Sequence, residues 1–186
     1  MNPIPREGSA PADPDAGPHQ ADLAAAGLDY AELDDDANLA PITVTHGPYT
    51  ISTDPARLDL DAIYGYIRRS YWAAGRPRAL MARALRHSLN FGVYHGEQQV
   101  GLARVITDYA TYVYLCDVFI LEEHQGQGLG KWLIEVVATH PALQTARRWT
   151  LATRDAHGLY SRYGFTPLAD PDSLMERIRP QPWEQR

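Results

Sequence analysis

The 186-residue sequence predicts an α/β protein, with one mixed β-sheet flanked by about four helices in the order β-α-α-β-β-β-α-β-α-β. Three observations carry that prediction. The run "TYVYLCDVFIL" (111–121) is nearly continuous in apolar, β-branched and aromatic residues, as expected of a strand buried on both faces at the centre of a sheet. The stretch "HQGQGLGKWL" (124–133) packs three glycines into five positions and then opens a helix-period stripe of Leu129, Trp132, Leu133, Val136 and Val137. Strand-like and helix-like periods alternate along the chain from Pro48 onward, over a length suited to one domain.

Residues 1–47 predict an acidic, proline-rich tail and residues 48–186 the folded domain. The first 40 residues hold nine acids against one base, five prolines and a single aromatic, Tyr30, a composition that favours solvation over packing. Within it, "ADLAAAGLDYAEL" has the pattern of a loose helix. "YTISTD" (49–54) predicts the first strand. Thr53-Asp54-Pro55 is a helix-start cluster, and Leu60, Ile63, Tyr64, Ile67 and Tyr71 follow at 3.6-residue spacing, predicting a helix over roughly 57–73. Gly75-Arg76-Pro77 breaks it. A second helix places Leu80, Met81, Ala84, Leu85 and Ser88 on one side. Phe91–Tyr94 and Val100–Thr107 predict a hairpin around His95–Gln98, and the central strand follows. After the glycine turn and its helix, "RRWTLAT" (147–153) is a strand and "DAHGLYSRY" (155–163) a short helix ended by Gly164-Phe165. "SLMERI" (173–178) closes the sheet as a last strand.

Several function classes are excluded at this level. Apolar runs fall short of the roughly 18–20 residues of a membrane span, and the N-terminal stretch lacks the apolar segment of a secretory signal. Cys116 is the one cysteine, which points to a reducing, cytoplasmic compartment. No His/Cys spacing matches a zinc site, so no metal is expected. The net charge of −6 is concentrated in residues 1–40, which carry −8 and leave +2 for the remainder. That near-neutral domain argues against nucleic-acid binding.

The glycine turn matches neither common nucleotide motif. Gln125 stands where a P-loop needs its first glycine and Trp132 where it needs a hydroxyl; Lys131 replaces the third glycine of a dinucleotide fingerprint. What remains is a strand, a tight turn and a helix N-terminus, which can gather an anion on unshielded backbone amides or can simply reverse the chain.

Residues Gln125-Gly126-Gln127-Gly128-Leu129-Gly130 match the Q/R-x-x-G-x-G/A motif of the GNAT superfamily of acetyl-CoA-dependent N-acetyltransferases. "LYSRYGF" (159–165) matches that family's aromatic-Tyr-x-x-x-Gly-Phe segment at the expected distance. The chain resembles the family over about residues 48–178. The resemblance implies that the turn from Gln125 to Gly130, with Lys131 following, holds the pyrophosphate of acetyl-CoA. It implies further that the pantetheine arm runs along Val118, Phe119 and Ile120, where two parallel strands splay apart. Thr153 sits where the family often has an asparagine that bonds this arm, and a threonine hydroxyl supplies fewer such bonds.

For the chemistry, Tyr160 matches the family's general acid, a phenol aimed at the CoA sulfur; the alternative is a packed core tyrosine. Asp117 is the one acid inside the central strand, where a carboxylate is costly unless paired or functional. The family often has a base on this strand. Arg104, on a face with Val100, Leu102 and Ile106, faces residue 115 if the hairpin turns at 108–111 and lies diagonal to Asp117, so a buried Arg104–Asp117 ion pair is the competing reading. His157, one turn before Tyr160, is a second base candidate or a surface residue. In the loop "SYWAAGRPR" (70–78), Tyr71 and Trp72 can wall an acceptor site and Arg76 or Arg78 can clamp an acid on the acceptor, or all four can serve packing and solvation. The resemblance therefore implies direct acetyl transfer to the primary amine of a small molecule, Cys116 having no neighbouring His or Cys to make it a carrier. Acetylation of a protein lysine or N-terminus, and a non-catalytic acyl-CoA-binding module, stay open as rivals. So does a homodimer through an exposed strand edge.

Overall fold

The computed structural model describes residues 39–183, so most of the acidic tail lies outside the described residues. Six strands form one sheet in simple sequence order: β1 (Thr43–His46), β2 (Tyr49–Ser52), β3 (Leu89–His95), β4 (Gln98–Thr107), β5 (Tyr112–Ile120) and β6 (Arg148–Leu151). The first five pair antiparallel, and β5 and β6 pair parallel. Helices α1 (Leu60–Ile67) and α2 (Arg78–Arg86) intervene between β2 and β3. Helix α3 (Leu129–Ala138) bridges β5 and β6, and the short α4 (His157–Tyr160) follows β6.

Two layers of helices sandwich the sheet. On one face α1 and α2 bury Ile63, Ile67, Met81 and Leu85 against Leu102 and Phe119. On the other, α3 buries Leu129, Leu133, Ile134, Val136 and Val137 against Val93, Val105, Val113, Leu115 and Ile120, with Tyr160 joining this larger cluster. Burial of such aliphatic and aromatic side chains contributes roughly 1.5–3 kcal/mol each and fixes which face each strand residue takes.

The α/β class stands as the sequence predicts, with local corrections. The sheet begins inside the segment assigned to the tail, because "TVTH" pairs with β2 across the Gly47-Pro48 turn, where Gly47 has φ +56°. The first helix is shorter than 57–73. Asp54 caps only a 3-10 turn (Pro55–Arg57), and Asp59 starts the helix anew by accepting from the amides of Asp61 and Ala62. At the far end the buried Ser70 hydroxyl donates to the Ile67 carbonyl, competing with continued helix, and turns occupy 68–75. "SLMERI" is not a strand. Its apolar residues do not alternate, so no single face of it could be buried; Leu174, Met175 and Ile178 are exposed, and β6 is left as an edge.

The strand register also departs from simple pairing. Arg104 faces Cys116, and not residue 115. Between Leu102↔Phe119 and Arg104↔Cys116 the register slips, so Asp117 and Val118 together oppose Ala103, and Asp117 adopts φ +49°. A second slip between β3 and β4 turns Val100 into the α3-side cluster, away from Leu102.

Candidate active site

Pairing between β5 and β6 covers only Tyr112–Leu115 with Arg148–Leu151. Beyond Leu115 the two parallel strands separate, leaving the β6-facing edge of Cys116–Ile120 without a strand partner. A cavity of about 720 Å³ fills this split. It reaches from Tyr71 and Trp72 on the α1–α2 side, past Cys116, Asp117, Val118 and Thr153, to Tyr160 on the α4 side. The cavity therefore passes through the sheet and opens toward both helix layers.

The glycine turn lies just past the end of β5. Gly126 (φ +76°) and Gly128 (φ +82°) occupy the left-handed region that disfavours other residues, and a Cβ at either would meet no neighbour within 4 Å. The exposed glutamines of the turn are tied back to the sheet: Gln125 donates to the Ile120 carbonyl at 2.7 Å, and Gln127 accepts from the Tyr49 hydroxyl at 3.2 Å. Leu129 anchors the helix in the core at 3% exposure. The first amides of α3 are thereby left with no intrahelical acceptor and no covering side chain, next to the positive end of a ten-residue helix. This arrangement fits a diphosphate. Lys131 is exposed at its rim, and its carbonyl accepts from Tyr163, which ties the start of α3 to the segment after α4.

Asp117 sits at the centre of a saturated cluster. Its side chain is 2% exposed; Oδ2 accepts from Arg104 Nε at 2.7 Å and from Arg76 Nη1 at 3.5 Å, and Oδ1 accepts from Trp72 Nε1 at 3.0 Å. Arg104 is itself buried and also donates to Ser88 Oγ. The bulge creates this arrangement, since the slip turns Cys116 and Asp117 toward the same face as Arg104. With both carboxylate oxygens occupied, Asp117 has no face open to an incoming ammonium, and the geometry supports the ion-pair reading over the base role. Arg76 is likewise committed to Asp117, and Arg78 pairs with Asp61 at the surface.

Tyr160 is buried to 8% exposure, and its hydroxyl makes no hydrogen bond among the described residues. Burial, with the Tyr71 phenol and the Asp155 carboxylate adding to it, pushes its pKa up to about 12. The phenol is therefore a neutral donor throughout the physiological range. Thr153 Oγ1 accepts from the Ala156 amide at 3.0 Å in the turn that leads into α4, which leaves the hydroxyl proton available. Burial pushes the Cys116 thiol up to about 11, unsuited to a thiolate carrier. His157 is exposed and lines a neighbouring cavity of about 410 Å³ together with Thr153 and Tyr160. Phe119 and Ile120 turn their side chains into the two cores, Phe119 stacking on Tyr66 at 4.1 Å, and of the predicted trio only Val118 lines the cavity.

Among the residues of the cavity that sequence reasoning passed over, Arg154 and Asp155 bear most directly on its chemistry. Arg154 stacks over the Tyr71 ring at 3.6 Å, and Asp155 lines the wall with no hydrogen bond or ion pair among the described residues. Adjacent opposite charges placed directly after a strand that ends at a split were the available signal. No group of three or more His, Cys, Asp and Glu among the described residues could hold a metal, and no helix among them is long and apolar enough to cross a membrane.

Comparison with known proteins gives a consistent picture. Residues 86–167 match the family profile described as an acetyltransferase (GNAT) domain. A crystal structure from Xanthomonas campestris pv. campestris, assigned by inference as an acetyltransferase of the GNAT family, is 51% identical with TM-score 0.70, covering 74% of this chain and 96% of that one. A Gibberella zeae protein, also assigned by inference as an acetyltransferase, is 37% identical over 145 residues, 66% of this chain and 81% of that protein. The ribosomal-protein-S18-alanine N-acetyltransferase of Escherichia coli shares the fold alone, at 22% identity and TM-score 0.52, over 63% of this chain and 77% of its own.

Proposed function

The chain belongs to the GNAT family of acetyltransferases, and on that premise we propose that it moves an acetyl group from acetyl-CoA to the primary amine of a small molecule by direct transfer. The observation that carries this reading is the cavity through the sheet. It brings an unpaired strand edge, the Tyr160 hydroxyl and the aromatic pair Tyr71 and Trp72 into one space of about 720 Å³. Tyr71 and Trp72 wall the α1–α2 side, which favours a small acceptor over a protein chain.

Bound acetyl-CoA would supply an activated acyl carbonyl and a sulfur leaving group. The amides from Gly126 to Lys131 would bind the diphosphate, and the free edge of Val118–Ile120 would pair with the amides of the arm, supported by the Thr153 hydroxyl. Tyr160 would donate its proton as the C–S bond breaks and negative charge gathers on sulfur. The amine proton would leave to water or to Asp155, the cavity carboxylate without a partner among the described residues. Asp117 is assigned a positioning role, holding Trp72 and Arg76 against the strand. We place the reaction in the cytoplasm, and the open edge of β6 offers a surface for a homodimer.

The test is release of CoA thiol from acetyl-CoA with a mixed amine panel, with products identified by mass spectrometry. Tight CoA binding without turnover of any amine would favour the non-catalytic acyl-CoA-binding module instead. The turn is tested separately: Gly128→Val combines a disfavoured φ of +82° with a side chain in the anion's path, so CoA binding should be lost in a variant that still folds.

A further inference from the structure

We propose that the amine acceptor also carries a carboxylate, and that Arg154 is the residue that receives it; this rests on the transferase reading above. Two arginines, Arg69 and Arg154, line the acceptor side, and Arg76 and Arg104 stand behind its Asp117. Arg69 is paired with Glu122, and Arg76 and Arg104 with Asp117. Arg154 has no carboxylate within ion-pair distance among the described residues. It is exposed, and its guanidinium lies flat over Tyr71 at 3.6 Å. Stacking uses the face of the guanidinium and leaves its planar fork of N–H donors available, the geometry that matches a carboxylate bidentately.

Charge balance points the same way. The charges lining the cavity balance, and the ion-pair partners behind them (Arg76, Arg104 and Glu122) leave the surrounding cluster with one positive charge in excess. An acceptor that is only a cation would enter a field of its own sign, in a partly enclosed space where such repulsion is weakly screened. Asp117 cannot relieve this, because three donors already occupy its oxygens. A carboxylate on the acceptor does.

The spacing bounds the molecule. Tyr71 carries Arg154 on its face and packs edge-on against Trp72 at 4.9 Å, and all three line the same cavity of about 720 Å³ as Tyr160. An amine presented at Tyr160 and an acid held at Arg154 therefore belong to one small molecule that fits this cavity, with an apolar body against the two rings. Amino acids and short amino carboxylates fit this description, whereas polyamines do not.

The test uses the full chain with acetyl-CoA and matched acceptors: phenylalanine against phenylethylamine, 4-aminobutyrate against butylamine, and spermidine as a polycation. At least one carboxylated acceptor should exceed its matched amine in kcat/KM by about tenfold or more. Arg154→Ala should collapse that ratio through KM, and Arg154→Lys should restore part of it. Preference for spermidine or the bare amines, or a ratio that survives Arg154→Ala, overturns the proposal. Calorimetric titration of N-acetylphenylalanine and N-acetylphenylethylamine in the presence of CoA separates the two readings. Carboxylate-dependent binding that is lost in Arg154→Ala, with no amine turned over, leaves the acid site standing and removes the transferase reading. Binding that does not discriminate, with no amine turned over, overturns the acid site.

Discussion

Tyr112–Leu115 and Cys116–Ile120 are consecutive stretches of β5, yet they are held by different means. The first is paired on both edges, to β4 and β6, and alternates regularly, with Val113 and Leu115 buried in the α3-side core. The second is paired on one edge, carries a bulge, and holds a buried carboxylate at φ +49°. The first half buys its order with apolar burial and a full ladder; the second relies on Arg104, Arg76 and Trp72 converging on Asp117. One strand thus supplies both a rigid anchor and, beside it, an opening in the sheet.

The sharpest way to break this contrast is to remove Arg104. Arg104→Leu leaves a buried carboxylate short of its main partner and should cost about 3–5 kcal/mol, measured by denaturant unfolding. The double replacement with Asp117→Asn should cost less than the sum of the two single changes. Strict additivity would mean that the pair does not hold the bulge. In the paired half, Leu115→Ala should cost a comparable ~2–5 kcal/mol through cavity formation. It should also leave coupling to Asp117→Asn near zero.

Next in size is Tyr160→Phe, which keeps the ring and deletes the hydroxyl at the mouth of the split. We expect kcat to fall by roughly tenfold or more with CoA affinity nearly unchanged. Wild-type kcat in a folded variant, with chemistry rate-limiting, would make Tyr160 a packing residue. The raised pKa sharpens the same point. With the phenol at about 12 against the ordinary 10, kcat should show no alkaline fall from its ionisation below about pH 10. The stability associated with its burial is complete below pH 10 and is lost as pH rises toward 12. The smallest effect is expected at Cys116→Ser, where a half-buried thiol with its pKa raised to about 11 takes no part in transfer; its kcat should stay within about twofold.

The paired half was legible in the sequence because its signal is local. Near-continuous apolarity named β5 as a strand, but placed it at the centre and buried on both faces, whereas it lies fifth of six and alternates buried with half-buried residues; the glycine spacing with "LYSRYGF" located the turn and Tyr160. The open half was legible only in part. Arg104 and Asp117 stood out as charges among apolar neighbours, but regular pairing sets Arg104 against residue 115, and the one-residue slip that turns Asp117 toward it has no composition of its own. Asp117 in a left-handed conformation is a tertiary outcome, stabilised by partners distant in sequence. The same limit hid Arg154 and Asp155, whose importance depends on Tyr71 arriving from another element. At the sheet's edges, "TVTH" was too short to announce a strand, whereas "SLMERI" had strand-like composition without the alternation that lets a strand bury one face.

The bulge also sets what kind of change the strand can absorb. Side chains along β5 can be exchanged one at a time, each at its own cost. A change that straightens the bulge with every residue kept would instead restore simple alternation and exchange the faces of everything that follows. Phe119 would leave its stack on Tyr66 for the α3 layer, Ile120 would turn the opposite way, and the glycine turn would set out from the wrong side of the sheet. Loop lengths on either side can drift, but the extra residue opposite Ala103 has to stay folded out of the ladder for Phe119 and Ile120 to keep their faces.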